Sequence, residues 1–315
     1  MKKVLCLILC LCCLFPLVSG CGKRDDGKIT ILCTVFPLYD WVKNIVGESE
    51  TVEVSLLITN GSDLHSYQPS AEDIIRISSA DLFFYVGGSS DAWVEETLKT
   101  QASDDRIDVK MTEIPDIRLR EMCIDSTAEH HDHDHGGVDE HLWLSLFNAK
   151  IASAYVTEQL SELDEEYAET YRENFNAYAS ALDALDQEYT SFVSSLDAPR
   201  MLCADRFPFV YLAEDYGISY LCAFEGCSTD ANASAETISR LAKALDTYAL
   251  SSIVTTERPC AGLAESVRDA SAAKNQKILV LDSMQSVTEK DADGGTNYLN
   301  VMKQNLETLR QILGE

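Results

Sequence analysis

The sequence predicts an α/β fold of two lobes with mostly parallel sheets, joined by one long rigid helix. Its 315 residues are enough for about two domains of roughly 150 residues each. Apolar runs typical of buried strands alternate with helical segments on both sides of a stretch without glycine or proline, residues 148–198. Such alternation favours parallel sheets, because the connection between two parallel strands is usually a helix.

The overall composition excludes several classes of protein. Hydrophobic residues make up 46% of the chain and charged residues 24%, which is typical of a globular protein rather than of a disordered chain or a coiled coil. With 25 Lys and Arg against 52 Asp and Glu, the formal net charge is −27. A chain this acidic is not expected to bind nucleic acid, because nucleic-acid-binding proteins present basic surfaces to the phosphates.

Residues 1–20 are predicted to be a secretory signal rather than part of the fold. Lysines are followed by an almost wholly apolar run, residues 4–18, which is shorter than a membrane-spanning helix. The segment Val18-Ser19-Gly20-Cys21 resembles the bacterial lipobox, in which the cysteine becomes the acylated N-terminus. We therefore expect lipid on Cys21, a flexible tether over residues 21–28, and an otherwise soluble protein without a transmembrane helix.

The N-terminal lobe is expected over residues 29–165. Buried strands are predicted at residues 29–35, 52–59 and 82–86. One helix is predicted over residues 39–46. Another is predicted to begin at Ser70, because Asp73 stands where the acid of a capping box is needed.

The connecting helix is expected over residues 166–198. Apolar residues recur there with spacings of 4, 3, 4, 3, 4 and 3: Tyr171, Phe175, Tyr178, Leu182, Leu185, Tyr189 and Phe192. This periodicity is that of one amphipathic helix. At about 1.5 Å per residue, about 26 residues span roughly 39 Å, the length of a small domain. A coiled-coil dimer seam is the alternative, but a mostly aromatic stripe fits packing along the chain's own lobes better.

Residues 199–315 are expected to form the C-terminal lobe, in which strands and helices alternate again. Strands are predicted at residues 200–204, 219–224, 251–256 and 277–281. Helices are predicted at residues 209–216, 235–247, 261–274 and 297–313. Ligand sites in such folds lie at the carboxyl ends of the strands.

The cysteines after the signal do not form a zinc motif. They are Cys33, Cys123, Cys203, Cys222, Cys227 and Cys260, in addition to Cys21. In an exported protein they permit disulfides, but none of them has the CxxC spacing of a tetrathiolate zinc site. For Cys33, Cys203 and Cys222, which lie in apolar runs, we expect small buried side chains.

Two histidines stand in loops where ligand sites form. His65 follows the strand at residues 52–59, and His141 has acidic neighbours and directly precedes the long helical stretch. A single histidine is more often a hydrogen-bonded structural residue. Because the whole chain has only 6 histidines, two of them in loops of one lobe favour a metal site.

Several segments make this pattern more specific. The loop around His65, the segment around His141 and residues 211–218, 281–283 and 298–306 resemble the zinc/manganese substrate-binding lipoproteins of bacterial ABC importers. The resemblance is collinear over almost the whole mature chain. It implies two α/β lobes, a rigid connecting helix and one metal ion between the lobes. It also implies a monomer on the extracytoplasmic face of the cell membrane, with the importer's permease subunits as its partner.

The resemblance implies a set of metal ligands from both lobes. His65 and His141 match the two histidine ligands of the first lobe, and Asp282 matches a carboxylate of the second. Many zinc members have a further histidine where this chain has Arg206, and an arginine cannot coordinate a metal. One ligand therefore remains open.

Three residues are candidates for the open position. Manganese-type members have a glutamate shortly after a Tyr-Gly pair, and counting from Tyr216-Gly217 this residue is Glu225, our first choice. Cys227 is an alternative whose soft thiolate would favour zinc. Asp205 is a weaker third candidate.

Residues 129–137, Glu-His-His-Asp-His-Asp-His-Gly-Gly, have the most metal-like composition of the chain. They contain four histidines: His130, His131, His133 and His135. Such tracts bind zinc loosely because they cannot bury a core. Related zinc importers have a histidine-rich loop at this place, so the resemblance implies a zinc collector, with a solvated acidic loop as the alternative. This tract is the main reason to expect Zn²⁺ rather than Mn²⁺ as the cargo.

Two other functions are weaker alternatives. A zinc-dependent hydrolase needs an open metal position beside a general base, and the sequence has neither HExxH nor a comparable motif. A surface adhesin, a role sometimes given to family members, leaves no sequence signal. We therefore expect a binding protein of zinc transport and not an enzyme.

Overall fold

The computed structural model describes residues 27–62, 64–103, 105–122, 137–226 and 232–314. The predicted signal segment, Cys21, Cys227 and the four histidines of the 129–137 tract lie outside these ranges. In the part of the chain that is described, no helix has both the length and the apolar composition that a membrane span requires.

The N-terminal lobe is built on a four-stranded parallel sheet of order β2-β1-β3-β4. Its strands are β1 (Ile29–Cys33), β2 (Val52–Leu56), β3 (Leu82–Tyr85) and β4 (Ile107–Lys110). Its first helices are α1 (Phe36–Val46), α2 (Ala71–Ser79) and α3 (Ala92–Thr100). The capping box predicted at the start of α2 is confirmed, since Ser70 and Asp73 exchange side-chain-to-backbone hydrogen bonds. The short elements β4 and α3 were not predicted, because their polar residues obscure the periodicity.

Two helices fill the stretch without glycine and proline. They are α4 (Leu146–Leu163) and the 26-residue α5 (Ala168–Val193). The chain leaves helical geometry between them at Asp164, with φ −135° and ψ 75°, and the Tyr171 hydroxyl donates a hydrogen bond to the Asp164 carboxylate at 2.7 Å. The long helix α5 therefore lies inside the range predicted for the connecting helix.

The C-terminal lobe repeats the plan with a parallel sheet of order β6-β5-β7-β8. Its strands are β5 (Arg200–Phe207), β6 (Ser219–Glu225), β7 (Ser252–Thr255) and β8 (Lys277–Val280). Its helices are α6 (Val210–Asp215), α7 (Ala235–Thr247), α8 (Leu263–Ala270), α9 (Glu289–Asp293) and α10 (Tyr298–Leu313). Each predicted strand and helix of this lobe is present, while α9 was not predicted. Cys33, Cys203 and Cys222 are buried in strands, as their apolar surroundings predicted.

The two lobes share one hydrophobic core. The largest cluster of buried apolar side chains includes Trp41 and Trp143 from the first lobe and Tyr211 and Met302 from the second. Helix α5 packs against α1 and α4 of the first lobe and against α10 of the second, and the Tyr189 hydroxyl donates to the Met302 carbonyl. The predicted fold of two parallel α/β lobes linked by one long helix is confirmed.

Candidate metal centre

His65 lies in the loop beyond the carboxyl end of β2. A short 3₁₀ turn over Leu64–Ser66 carries it, and the buried Leu64 side chain anchors this turn in the core. The Nδ1 atom of His65 lies 2.5 Å from Ser90 Oγ, in the loop that follows β3. The opposite ring nitrogen, Nε2, therefore faces away from that loop and towards His141.

His141 is oriented by an acidic residue of its own segment. It directly precedes a 3₁₀ turn over Leu142–Leu144 and is fully buried. Asp139 Oδ1 accepts hydrogen bonds from the backbone N–H and from Nδ1 of His141, both at 2.9 Å. An Nδ1–H that donates to a carboxylate leaves the lone pair on Nε2. This is the tautomer that binds a metal through Nε2.

The two histidines present their Nε2 atoms to each other at 3.3 Å. Two imidazole nitrogens bound tetrahedrally to one zinc ion, each at about 2.0–2.1 Å, are themselves about 3.3–3.4 Å apart. The ring planes are inclined by 60° with their centroids 5.3 Å apart, so the rings do not stack on each other. The observed separation therefore suits a single cation bound by both rings.

The end of β6 brings the second lobe to this histidine pair. A Cβ atom on Gly226 would lie 3.2 Å from His141 Cε1 and 2.7 Å from the Phe207 carbonyl oxygen. Glycine is required here because the second contact is with backbone and cannot move aside. Glu225 is the last residue of β6, so its backbone adjoins the glycine that contacts His141. That Glu225 coordinates metal stays a prediction.

Asp282 follows β8, and its neighbour Ser283 lines a narrow cleft between the lobes. Residues that line this cleft include Gly61, Gly226, Glu257 and Ser283. The Asp282 side chain is partly buried, and its Oδ1 accepts a hydrogen bond from the Met284 backbone at 2.8 Å. Burial, together with the negative charge of Glu257, raises the pKa of Asp282 to about 6. A cation in the cleft would stabilise the ionised form of Asp282.

A hydrogen bond across the lobes links the His141 segment to the Asp282 segment. Trp143 Nε1 donates to the Ser283 carbonyl oxygen at 2.8 Å, and the Tyr298 hydroxyl donates to the Trp143 carbonyl oxygen at 2.6 Å. Both aromatic side chains are fully buried. Breaking a buried hydrogen bond is unfavourable, because no water is present to replace the lost partner. These bonds therefore fix how the two segments face each other.

Asp205 is occupied by contacts within its own lobe. Its Oδ2 accepts hydrogen bonds from the backbone and the hydroxyl of Thr256, at 3.0 and 2.8 Å. Its Oδ1 accepts from the Arg206 backbone at 2.9 Å. The carboxylate is fully buried, so these donors use most of its acceptor capacity. The geometry favours a structural role for Asp205, whereas Arg206 lines the interlobe cleft.

The structure assembles the predicted ligands only in part. Among the described residues, no three His, Cys, Asp or Glu side chains are grouped closely enough to hold a metal ion. His65 and His141 are brought together, and Asp282 is not grouped with them. Ser90 and Glu257 were missed from the sequence, because a serine or a glutamate in a loop has no recognisable pattern.

Comparison with known families is decisive for the class of protein. The family model described as ZnuA, zinc-uptake complex component A, periplasmic, matches residues 31–312. The chain belongs to the ZnuA family. The family description names a component of zinc uptake, as expected for a binding protein rather than an enzyme.

Individual ZnuA-like proteins match along most of the chain. The zinc-binding lipoprotein AdcA of Streptococcus pneumoniae is 32% identical over 317 residues, which cover 99% of this chain and 61% of AdcA. The high-affinity zinc uptake system protein ZnuA of Bacillus subtilis is 27% identical over 314 residues, covering 95% of this chain and 94% of that protein. The crystal structure of the Zn(II)-bound ZnuA-like domain of S. pneumoniae AdcA superposes with a TM-score of 0.74 at 29% identity, covering 92% of this chain and 100% of that domain. The chain thus spans less than two thirds of the AdcA lipoprotein.

Proposed function

We propose that this chain is a lipid-anchored protein on the extracytoplasmic face of a bacterial cell membrane, where it captures Zn²⁺ and delivers it to an ABC importer. The observation that carries the proposal is the pair of buried histidines whose Nε2 atoms are 3.3 Å apart beside the lobe interface. Membership of the ZnuA family and the likeness to a Zn(II)-bound ZnuA-like domain support it.

The proposed ligands are His65 and His141 from the first lobe and Glu225 and Asp282 from the second. Two imidazole nitrogens and two carboxylate oxygens give a four-coordinate site of a kind that zinc accepts. Cys227 remains an alternative to Glu225, while the hydrogen bonds of Asp205 argue against that residue. Because each lobe would supply two ligands, a small relative movement of the lobes changes the number of bonds to the cation. This gives a physical route for its release.

Zinc is proposed over manganese on the chemistry of the donors. Imidazole suits zinc, whereas manganese favours an octahedral shell of oxygen ligands. The two preoriented nitrogens of His65 and His141 therefore favour zinc. The histidines of residues 129–137 are proposed to collect zinc loosely. Manganese is the alternative cargo, because the other two proposed ligands are carboxylates.

The anchor and the partner complete the proposal. Lipid on Cys21 would hold the protein at the membrane through the tether of residues 21–28, and a single copy would dock on the importer's permease subunits. A Cys21→Ala variant should leave the membrane fraction and appear in the soluble fraction. Cells that lack the wild-type protein should grow poorly in zinc-depleted medium and should be restored by adding it back.

One experiment tests the cargo directly. Protein purified without chelators is analysed for metals by mass spectrometry and then titrated with zinc and manganese in competition. We expect one tightly bound zinc per chain that manganese does not displace. Tight manganese that resists zinc would favour the alternative cargo, and the absence of tight binding of either ion would refute the proposal.

A further inference from the structure

Glu140 is a buried acid that the proposed ligand set does not use. Its side chain is almost fully buried, with 1% of the residue exposed. Oε1 accepts hydrogen bonds from Ser89 Oγ at 2.7 Å and from the Ser90 backbone at 2.8 Å. Both donors belong to the loop between β3 and α3, so the carboxylate tethers the His141 segment to that loop.

The loop is shaped around this carboxylate. Gly88 has φ +136°, and a Cβ atom there would lie 2.6 Å from both Cγ and Oε1 of Glu140. Only glycine allows this approach. A buried carboxylate is unfavourable unless it is hydrogen-bonded. The loop between β3 and α3 supplies the hydrogen bonds that the buried Glu140 carboxylate needs.

The contacts of Glu140 lead to the other histidine. Its Oε2 lies 3.7 Å from His65 Nδ1. Ser90, whose backbone N–H binds Glu140, has its hydroxyl oxygen 2.5 Å from the same Nδ1. Asp139 and Glu140 are consecutive, and consecutive side chains of an extended segment point in different directions. Asp139 therefore reaches His141, while Glu140 reaches the surroundings of His65.

We propose that Glu140, acting with Ser90, is a positioning residue that holds the proton of His65 on Nδ1, so that Nε2 offers its lone pair to the metal. The consecutive acids Asp139 and Glu140 would then orient one histidine each. In the metal-bound protein His65 Nδ1–H donates to the Ser90 hydroxyl oxygen. The negative charge of the nearby Glu140 carboxylate favours a proton on Nδ1 and therefore this direction of the hydrogen bond. Partners of this kind fix the ring orientation and raise the basicity of the ligand. The inference rests on the proposed zinc site.

Zinc affinity is the first readout. Glu140→Gln keeps the shape but removes the charge. Ser90→Ala removes the hydroxyl but keeps the buried carboxylate and both of its donors, the Ser89 hydroxyl and the backbone N–H of residue 90. Each variant should bind zinc about 10- to 100-fold more weakly than wild type, the usual effect of losing such a partner. Ser90→Thr, which restores a hydroxyl, should return the affinity towards the wild-type value. Glu95→Gln is the matched control, because Glu95 pairs with Lys110 at 2.8 Å on the outside of the same lobe.

The second readout separates positioning from a general effect on folding. In zinc-loaded protein with nitrogen-15-labelled histidine, the Nδ1–H signals of His65 and His141 are followed by NMR. Glu140→Gln and Ser90→Ala should make the His65 signal exchange rapidly with water, while the His141 signal, which Asp139 holds, should persist. If Glu140→Gln does not fold, Ser90→Ala carries the test.

The possible failures are distinguishable. Unchanged zinc affinity and an unchanged His65 signal in both variants would overturn the inference and leave the proposed function standing. A parallel loss of both histidine signals would reduce Glu140 to a structural residue and would also overturn it. Failure of the wild-type protein to bind zinc would overturn the proposed function and the inference together.

Discussion

The hydrogen bond that Trp143 makes across the lobes has an effect on stability that can be isolated. Trp143→Phe removes the indole N–H and leaves the Ser283 carbonyl without the donor that now lies at 2.8 Å. A buried polar group left unsatisfied costs about 1–3 kcal/mol. The smaller ring also leaves a void, which costs a further amount of about 1–2 kcal/mol. The expected loss in the free energy of unfolding is therefore about 2–5 kcal/mol.

Trp41 provides a matched control for the void. It is as fully buried as Trp143, and its Nε1 has no hydrogen-bond partner among the described residues. Trp41→Phe therefore loses ring volume but no hydrogen bond, and it removes an unsatisfied donor. The difference between the two variants therefore contains the lost bond to Ser283 and the relief of the unsatisfied donor of Trp41, and Trp143→Phe should be the less stable by at least about 1–3 kcal/mol.

Two measurements check this prediction. Urea unfolding of the metal-free proteins, followed by far-UV circular dichroism, gives the stability difference. Zinc titration gives the effect on the site, which should be larger for Trp143→Phe because Ser283 is the neighbour of Asp282. Equal losses of stability in both variants would refute the claim that this hydrogen bond joins the lobes.

Further predictions concern the ligands, the tract and the buried acids. His65→Ala and His141→Ala should each weaken tight zinc binding severely in competition titrations, because each removes half of the nitrogen donors; unchanged affinity in both would contradict the site. Glu225→Ala and Asp282→Ala should weaken binding while the apo protein stays nearly as stable, and a larger effect of Cys227→Ser than of Glu225→Ala would transfer the ligand role to the thiolate. Deleting residues 129–135 should remove weak zinc sites in calorimetry and leave one tight site, and in wild type the weak sites should fade below about pH 6.5 as imidazoles become protonated. Burial raises the pKa of Asp40, whose carboxylate accepts the Tyr298 backbone N–H at 3.1 Å, from 3.8 to about 6. Because the folded state has the higher pKa, the stability that the protonated group contributes is complete below about pH 4 and is lost as the pH rises through 6. Asp40→Asn should therefore flatten the dependence of stability on pH that urea unfolding measures. At pH 7 it should stabilise the protein by up to about 3 kcal/mol.

Strong periodicity made most of the fold predictable. The stripe from Tyr171 to Phe192 repeats over many turns, and its residues Tyr171, Tyr178, Leu182, Leu185 and Tyr189 are buried as expected. The missed elements are short: β4 has 4 residues, α9 has 5 and α3 has 9. In so few residues a polar side chain or two removes the repeat, and only tertiary packing decides the structure.

The site was predictable where the residue type itself carries the chemistry. Histidine is rare in this chain and stands in loops at His65 and His141, so its presence pointed to a metal. The residues that orient these rings carry no such signal, because their roles depend on contacts that only folding creates. Ser90 is 25 residues from His65 in sequence, and Ser283 is 140 residues from Trp143. Neither contact follows from local spacing.

The two halves of the proposed site differ in how well they are prepared for a cation. His141 is fully buried and both histidines have hydrogen-bonded Nδ1 atoms, so the first lobe can bind with little loss of conformational freedom. Asp282 instead is partly buried and close to Glu257, and burial together with this neighbouring negative charge disfavours its ionised form. Closure of the first lobe over these carboxylates would bury them further, which is unfavourable while they carry uncompensated negative charge and favourable once a cation is bound. We therefore expect the histidines to receive the ion first and the carboxylates to close on it afterwards, so that opening of the second lobe by a partner would weaken binding without disturbing the histidine pair.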